Sequence, residues 1–381
     1  MSAWDQVVGQ GDALDPLIAA AASNRAMTHA WLITGPPGSG RSIAARAFAA
    51  ALQCPNGGCG ECHACRTAVA GTHADVTIVA TEKVTISVDE VRSLVSHAQS
   101  APSEGRWRVI VIEDADRMTE RTSNVLLKAV EEPPPRTAWV LCAPSLHDVA
   151  TTIRSRCRVV TLRIPDAEVV ARLLVERDGV DPELARECAL AAQCHIGVAR
   201  RLASDPEARA RRERILALAS DVRGVGDAVL SAGELVAVAD DDAKSATGER
   251  DAAELAELYT TLGVEPGERL PPALRAQVRQ LEEDQKRRAT RAKRDVLDRA
   301  LLDLLSLYRD VAVVQTGAGV ALVNVRHGDQ ISTLAERFSL EDTLRIMDAI
   351  GLARERLAGN VAPVLTLEEM LLTMGLLLPA T

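Results

Sequence analysis

The chain has 381 residues, 47% hydrophobic and 25% charged, enough for two or three domains that each bury a core without disulfides. Its 44 Lys and Arg against 53 Asp and Glu leave a net charge of −9, and four Trp, two Tyr and two Phe are few for stacking on bases. Both features argue against strong autonomous binding of single-stranded nucleic acid. No uncharged apolar run of about eighteen residues exists, and the opening MSAWDQVVGQGDALD carries acids where a signal peptide would be apolar, so a soluble cytoplasmic protein with no membrane partner is expected.

Residues 1–163 alternate short apolar runs with helix-like stretches, the pattern of an α/β fold with a parallel sheet covered by helices on both faces. The first strand, 31–34, runs into Gly35-Pro36-Pro37-Gly38-Ser39-Gly40-Arg41-Ser42 and then the alanine-rich helix 43–52. Strand, glycine loop and helix is the setting of a P-loop: Gly35, Gly38 and Gly40 let backbone N–H groups close on phosphate, and the helix N-terminus adds its positive end. Arg41 stands where that pattern places a lysine, and a wide planar guanidinium cannot enter the slot of a slim ammonium in the same way. Backbone cradling and Ser42 survive the change, so ATP or ADP occupancy, and with it magnesium, stays open against an empty loop kept for folding.

Four cysteines follow at once: Cys54, Cys59, Cys62 and Cys65, spaced C-x4-C-x2-C-x2-C with Gly57, Gly58 and Gly60 between ligands. Four thiolates suit a closed tetrahedral structural zinc, against free thiols, a disulfide or an iron–sulfur cluster. His63 and His73 lie nearby but have no vacancy to fill, and Cys142, Cys157, Cys188 and Cys194 sit singly among apolar residues as core. Next come a strand at 76–80 and a helix opened by the capping box Ser87-Val88-Asp89-Glu90 and running to about residue 97. The strand 107–112 ends in Glu113-Asp114, the reverse of the Asp-Glu order with which P-loop ATPases hold magnesium and orient water. Each carboxylate is one methylene wrong for its role, and a misplacement of about 1 Å can cost about 100-fold in rate. The two departures together predict impaired hydrolysis.

A helix at 123–132 is stopped by Pro133-Pro134-Pro135; a strand at 138–142, the segment Ile153-Arg154-Ser155-Arg156-Cys157 and a strand at 158–162 close the module. Beyond Pro165-Asp166 only helices are expected, at 167–177, 182–194, 198–204 and 207–220. Residues 237–250, polar, acidic and without aromatics, read as a linker. Leu297, Leu301, Leu304, Tyr308 and Val311 form one apolar helical stripe, and the basic run 286–294 reads as a solvated helix face, with contact to DNA or a neighbouring subunit as the alternative.

Val8-Gly9-Gln10, residues 29–42, the four-cysteine insert, Asn124-Val125-Leu126-Leu127-Lys128 with Glu131-Glu132-Pro133, Ser155-Arg156-Cys157 and Asn360-Val361-Ala362-Pro363 occur in the order that resembles the delta-prime family of the bacterial DNA polymerase III clamp loader, a branch of the AAA+ proteins. The resemblance implies an AAA+ P-loop domain over 1–163, an all-α lid over 164–217 and an all-α collar over 218–381. It implies a pentameric ring in which gamma/tau motor subunits hydrolyse ATP, with the delta subunit, the sliding clamp and primed DNA as further partners. In it Arg156 is the match for an arginine finger that points at a neighbouring subunit's ATP, an effect of about 10³- to 10⁵-fold in other nucleotide hydrolases; pairing with a surface carboxylate, as also expected of Arg154 and Arg158, is the alternative. Ser145 falls at the first sensor position and Ala199 where motors carry a second sensor arginine, leaving Arg200 one residue late. A stator subunit with an impaired ATP site is the leading expectation; a gamma/tau-like ATPase and a zinc-dependent nucleic-acid module are the competitors.

Overall fold

The computed structural model describes residues 2–23, 25–81, 85–222, 224–262, 272–359 and 361–377, which divide into two compact units, Met1–Ser204 and Asp205–Thr381.

In the first unit the elements run α1 (Asp15–Ala22), β1 (Ala30–Thr34), α2 (Arg41–Gln53), α3 (His63–Ala70), β2 (Val76–Val79), α4 (Val88–Ala98), β3 (Arg108–Ile112), α5 (Glu120–Glu131), β4 (Thr137–Ala143), α6 (Thr151–Arg154), β5 (Arg158–Thr161), α7 (Ala167–Asp178), α8 (Pro182–Ala191) and α9 (Ile196–Ser204). All five expected strands are present, pairing in parallel in the order β2-β3-β4-β1-β5. β1, β3 and β4 are buried along their whole length, so they read as unbroken apolar runs, and the two-residue alternation instead sorts side chains between two cores. Trp31, Ile33, Val109, Val111 and Val140 meet α1, α2 and α3 on one face; Leu32, Ile110, Ile112, Trp139 and Leu141 meet α4 and α5 on the other. The capping box on α4 forms as expected, Ser87 Oγ accepting from the Glu90 N–H while the Glu90 carboxylate accepts from the Ser87 N–H.

The second unit is helical: α10 (Pro206–Asp221), α11 (Val225–Leu262), α12 (Pro272–Thr316), α13 (Gly328–Arg337), α14 (Leu340–Ala358) and α15 (Pro363–Leu376). The stripe from Leu297 to Val311 is buried, and Leu304 and Tyr308 lie in a core shared with α10, α13, α14 and α15. The expected linker at 237–250 is corrected: it lies inside the 38-residue helix α11. Polarity there is paired rather than solvated, because α12 lies antiparallel alongside and supplies cations: Lys293 to Asp240 at 2.8 Å, Arg288 to Asp251 at 2.7 Å and to Glu254 at 3.0 Å. Ala228, Ala232, Leu235, Ala239 and Ala243 give α11 a narrow apolar seam at helical spacing. The same pairs occupy part of the basic run, in keeping with a charged helix face. With the two units divided at 204/205, α7 to α9 fall in the first and α10 in the second. Of the segment 360–363, Asn360 lies outside the described residues.

Asp75 ties the sheet to the loop before β3. Fully buried, it accepts from the N–H groups of Ser103, Glu104 and Gly105, and pairs with buried Arg108 at 3.1 Å. Burial alone would raise its pKa, but these N–H groups outweigh it and bring the carboxyl down to about 2. Asp75→Ala should destabilise the unit by about 3–5 kcal/mol in chemical denaturation, since it strands a buried cation. The folded pKa is depressed, so the wild-type contribution is complete above the ordinary carboxylate range and lost as pH falls toward about 2; urea midpoints measured from pH 5 down to pH 2 should converge for the two proteins.

Candidate nucleotide loop and metal centre

β1 delivers the glycine loop to the N-terminus of α2, and the loop is wedged from two sides. A Cβ on Gly35 would stand 2.6 Å from the Leu162 carbonyl oxygen, and one on Gly38, whose φ is +90°, 2.9 Å from His195 Cα. Buried Gln10 fastens the loop to the chain after β5, its Nε2 donating to the carbonyls of Ser39 at 3.0 Å and Arg163 at 2.8 Å.

The charged groups at this loop are engaged with one another. Arg41 turns back, its Nη1 donating to the Gly35 carbonyl; burial lowers its pKa, and Cys142, Asp116 and Asp114 partly restore it. Glu113 at the end of β3 is largely buried and accepts from Arg46 Nε at 2.7 Å, while the Arg46 Nη1 donates to the Val69 carbonyl of α3 at 3.2 Å. The Asp114 carboxylate accepts from the Thr81 N–H at 3.1 Å and stands 3.7 Å from Arg117. Asp116 is held above the usual carboxylate range, first by burial and then by the charge of Asp114. The Ser145 hydroxyl caps a short turn, accepting from the His147 N–H at 3.0 Å. Ala199 is buried and Arg200 pairs with Asp178 at 2.9 Å; the residue of that segment that meets the glycine loop is His195, which follows the two left-handed residues Gln193 and Cys194.

Arg156 lies just past α6 with its side chain about one-third exposed, donating to the Thr152 carbonyl at 2.7 Å and pairing with Glu131 of α5 at 2.5 Å. The surface carboxylate expected as an alternative partner is thus found on Arg156 itself. Arg154 and Arg158 do not use one for the hydrogen bonds that place them: Arg154 donates to the Leu146 carbonyl, and Arg158 to the Ala26 carbonyl while lying over the Trp31 ring at 5.1 Å.

α2 ends at Cys54 and α3 begins after Cys62, whose sulfur accepts from the Cys65 N–H. The four Sγ atoms of Cys54, Cys59, Cys62 and Cys65 all lie within 4.8 Å of one another, with Cys54 3.7 Å from Cys59 and 3.8 Å from Cys62. A tetrahedron with Zn–S bonds of about 2.3 Å has edges of about 3.8 Å, so the residues fit zinc and leave no open coordination position. Burial pushes the Cys54 thiol up, but the N–H groups of Cys59, Gly58 and Asn56 outweigh it and bring it down to about 6, while burial drives Cys65 upward. The N-terminal turn braces the module: Ala3 N–H and Ser2 Oγ donate to the Gly58 carbonyl, and Trp4 Nε1 to that of Gly57.

Sequence reasoning named the loop, both acids, the cysteines and Arg156, and quoted Glu131 without its pairing to Arg156, but missed Arg46 and His195. A signal existed for Arg46 alone, since it sits four residues after Ser42 on the same helix face.

The first unit is thus a parallel α/β sheet module in which a glycine loop leads into a buried helix that ends at a four-cysteine cluster. Residues 9–166 match the family described as "DNA polymerase III, delta subunit". The chain is 37% identical over 145 residues to the DNA polymerase III subunit delta' of Pseudomonas aeruginosa, covering 36% of this chain and 44% of that protein. It is 32% identical over 187 residues to the gamma/tau subunit of Mycobacterium bovis, covering 47% of this chain and 32% of that one. Over this first unit the chain is thus similar to clamp-loader subunits of both the delta' and the gamma/tau kind. It spans less than half the length of these curated relatives. A gamma-subunit-related protein of Thermotoga maritima covers 96% of this chain and 99% of its own at 17% identity, with a TM-score of 0.43, too loose a likeness to argue from.

Purified under reducing conditions, the protein should carry one zinc per chain by plasma mass spectrometry, and Cys59→Ser should lose most of it. Full zinc content in Cys59→Ser would mean that another ligand serves.

Proposed function

We propose that this protein is a stator subunit of a DNA polymerase III clamp loader, which lends Arg156 to a neighbouring subunit's ATP and scarcely uses its own nucleotide site. The observation that carries the reading is the self-pairing at the loop: Arg41 on the Gly35 carbonyl, Glu113 on Arg46, and Asp114 on the Thr81 N–H. A magnesium–nucleotide complex needs those acids as ligands and orienters, and here each would have to leave a partner first. Arg156, in contrast, is exposed on the surface. A guanidinium presented in trans neutralises charge developing on the transferred phosphoryl group while adding nothing to hydrolysis in its own subunit.

In this reading α7 to α9 serve as the lid and the second unit as the collar that joins the ring, with gamma/tau and delta as neighbours and the sliding clamp and primed DNA reached through the complex. Zinc is structural. ATP or ADP on the glycine loop is compatible with the role, provided it turns over slowly. No helix among the described residues is long and apolar enough to cross a membrane, which accords with work in the cytoplasm. The similarity to gamma/tau, which extends over more of the chain than that to delta', favours a second reading as an ATP-hydrolysing motor.

Mixed with motor subunits, clamp and primed DNA, the Arg156→Ala protein should assemble normally, yet hydrolysis at the one adjoining ATP should fall by about 10³-fold or more, seen as a drop in stimulated ATPase. Undiminished hydrolysis in the assembled mixture would overturn the finger role. Turnover of ATP by the isolated chain at motor rates would favour the second reading.

A further inference from the structure

We propose that Arg46 couples metal loading of the four-cysteine site to the position of the Glu113 carboxylate. α2 is one helix with the glycine loop at its start and Cys54 at its C-cap; α3 takes Cys62 as its N-cap, carries Cys65 in its first turn, and ends two residues after Val69 at Gly71. The carbonyls of a helix's last turn lack helical partners, and that of Val69 is answered by Arg46 Nη1 at 3.2 Å. The Nε of the same guanidinium donates to Glu113 Oε1 at 2.7 Å. A guanidinium is a rigid plane, so its two contacts move together: where α3 places the Val69 carbonyl sets where Arg46 can hold the acid.

When bound, zinc tethers Cys62 and Cys65 to Cys54 and so fixes α3 against α2. The relay then has two ends, thiolates at one and a carboxylate of the nucleotide site at the other, joined by α3 and one arginine. Coupling of this kind is reciprocal. If metal binding orders the Arg46–Glu113 pair, breaking the pair must weaken metal binding, although neither residue touches the cysteines' sulfurs. The inference stands apart from the stator reading, because zinc affinity is measured on the isolated chain.

The test is competition for zinc between the full-length protein and a chromophoric chelator, for wild type, Arg46→Met, Glu113→Gln and, as a control, Leu126→Ala. Leu126 is buried on the opposite face of the sheet, so its truncation destabilises the fold without touching the relay. Arg46→Met should bind zinc about five- to tenfold more weakly; Glu113→Gln, isosteric but uncharged, should fall between it and wild type; Leu126→Ala should match wild type. Wild-type zinc affinity in Arg46→Met overturns the proposal, as does an equal loss in Leu126→Ala. Should Arg46→Met fail to fold, Glu113→Gln decides alone, with wild-type affinity as the overturning result.

Discussion

The packing of α2 constrains everything else in the first unit. Ala44, Ala45, Ala47, Ala49, Ala50 and Ala51 are all buried, and side chains this small let the helix approach closely. Phe48 is a bulky insertion among them, edge-on to Trp31 with ring centroids 5.3 Å apart. A helix held on so many sides has nowhere to shift, and interiors packed to crystal-like density pass displacement on rather than absorb it. Because its first residue is Arg41 and its C-cap is Cys54, the glycine loop and the four-cysteine cluster are placed by one rigid body. The order in the sequence, glycine loop then alanines then cysteines, is a physical statement about how two sites share a support.

On that support the electrostatics separate groups turned toward each other from groups turned outward. Glu113 is largely buried, and a buried carboxylate without a cation is costly. Here Arg46 supplies that cation from within the chain. Arg156 follows the opposite logic. It is about one-third exposed, and the one carboxylate it pairs with, Glu131, is itself exposed, so solvent screens the pair and little free energy opposes its exchange for a stronger anion. A triphosphate carries more charge than one carboxylate, and a planar fork suits phosphate oxygens as well as carboxylate ones.

What could be read in advance follows from how local each signal is. The central strands β3, β4 and β1 were legible because strands covered on both faces read as unbroken apolar runs, and the four-cysteine cluster because its members lie within twelve residues of one another. The 237–250 stretch was misread because its acids find their partners on α12, roughly forty to fifty residues on, and single-chain polarity cannot distinguish a solvated loop from a helix whose charges are answered from afar. Arg46 and His195 escaped notice for a similar reason. One bridges three elements and the other meets Gly38 across some 150 residues, and neither stands in a motif. Arg200, one residue late for a sensor, pairs with Asp178, and the turn ahead of α9 brings His195 to the loop instead.

The left-handed pair Gln193 and Cys194 gives this last point its weight. Two consecutive non-glycine residues at φ of +50° and +63° are costly, and such a cost persists only where the surroundings demand the geometry. What the turn achieves is to end α8, start α9 with the His195 Nδ1 accepting from the Val198 N–H, and set the His195 backbone onto Gly38. Any side chain at position 38 would push the helices off the loop, and any relaxation of the turn would withdraw the histidine. Gly38 is therefore tied to the helices that follow the sheet, and this packing accounts for a glycine at that position whether or not a nucleotide ever rests on the loop.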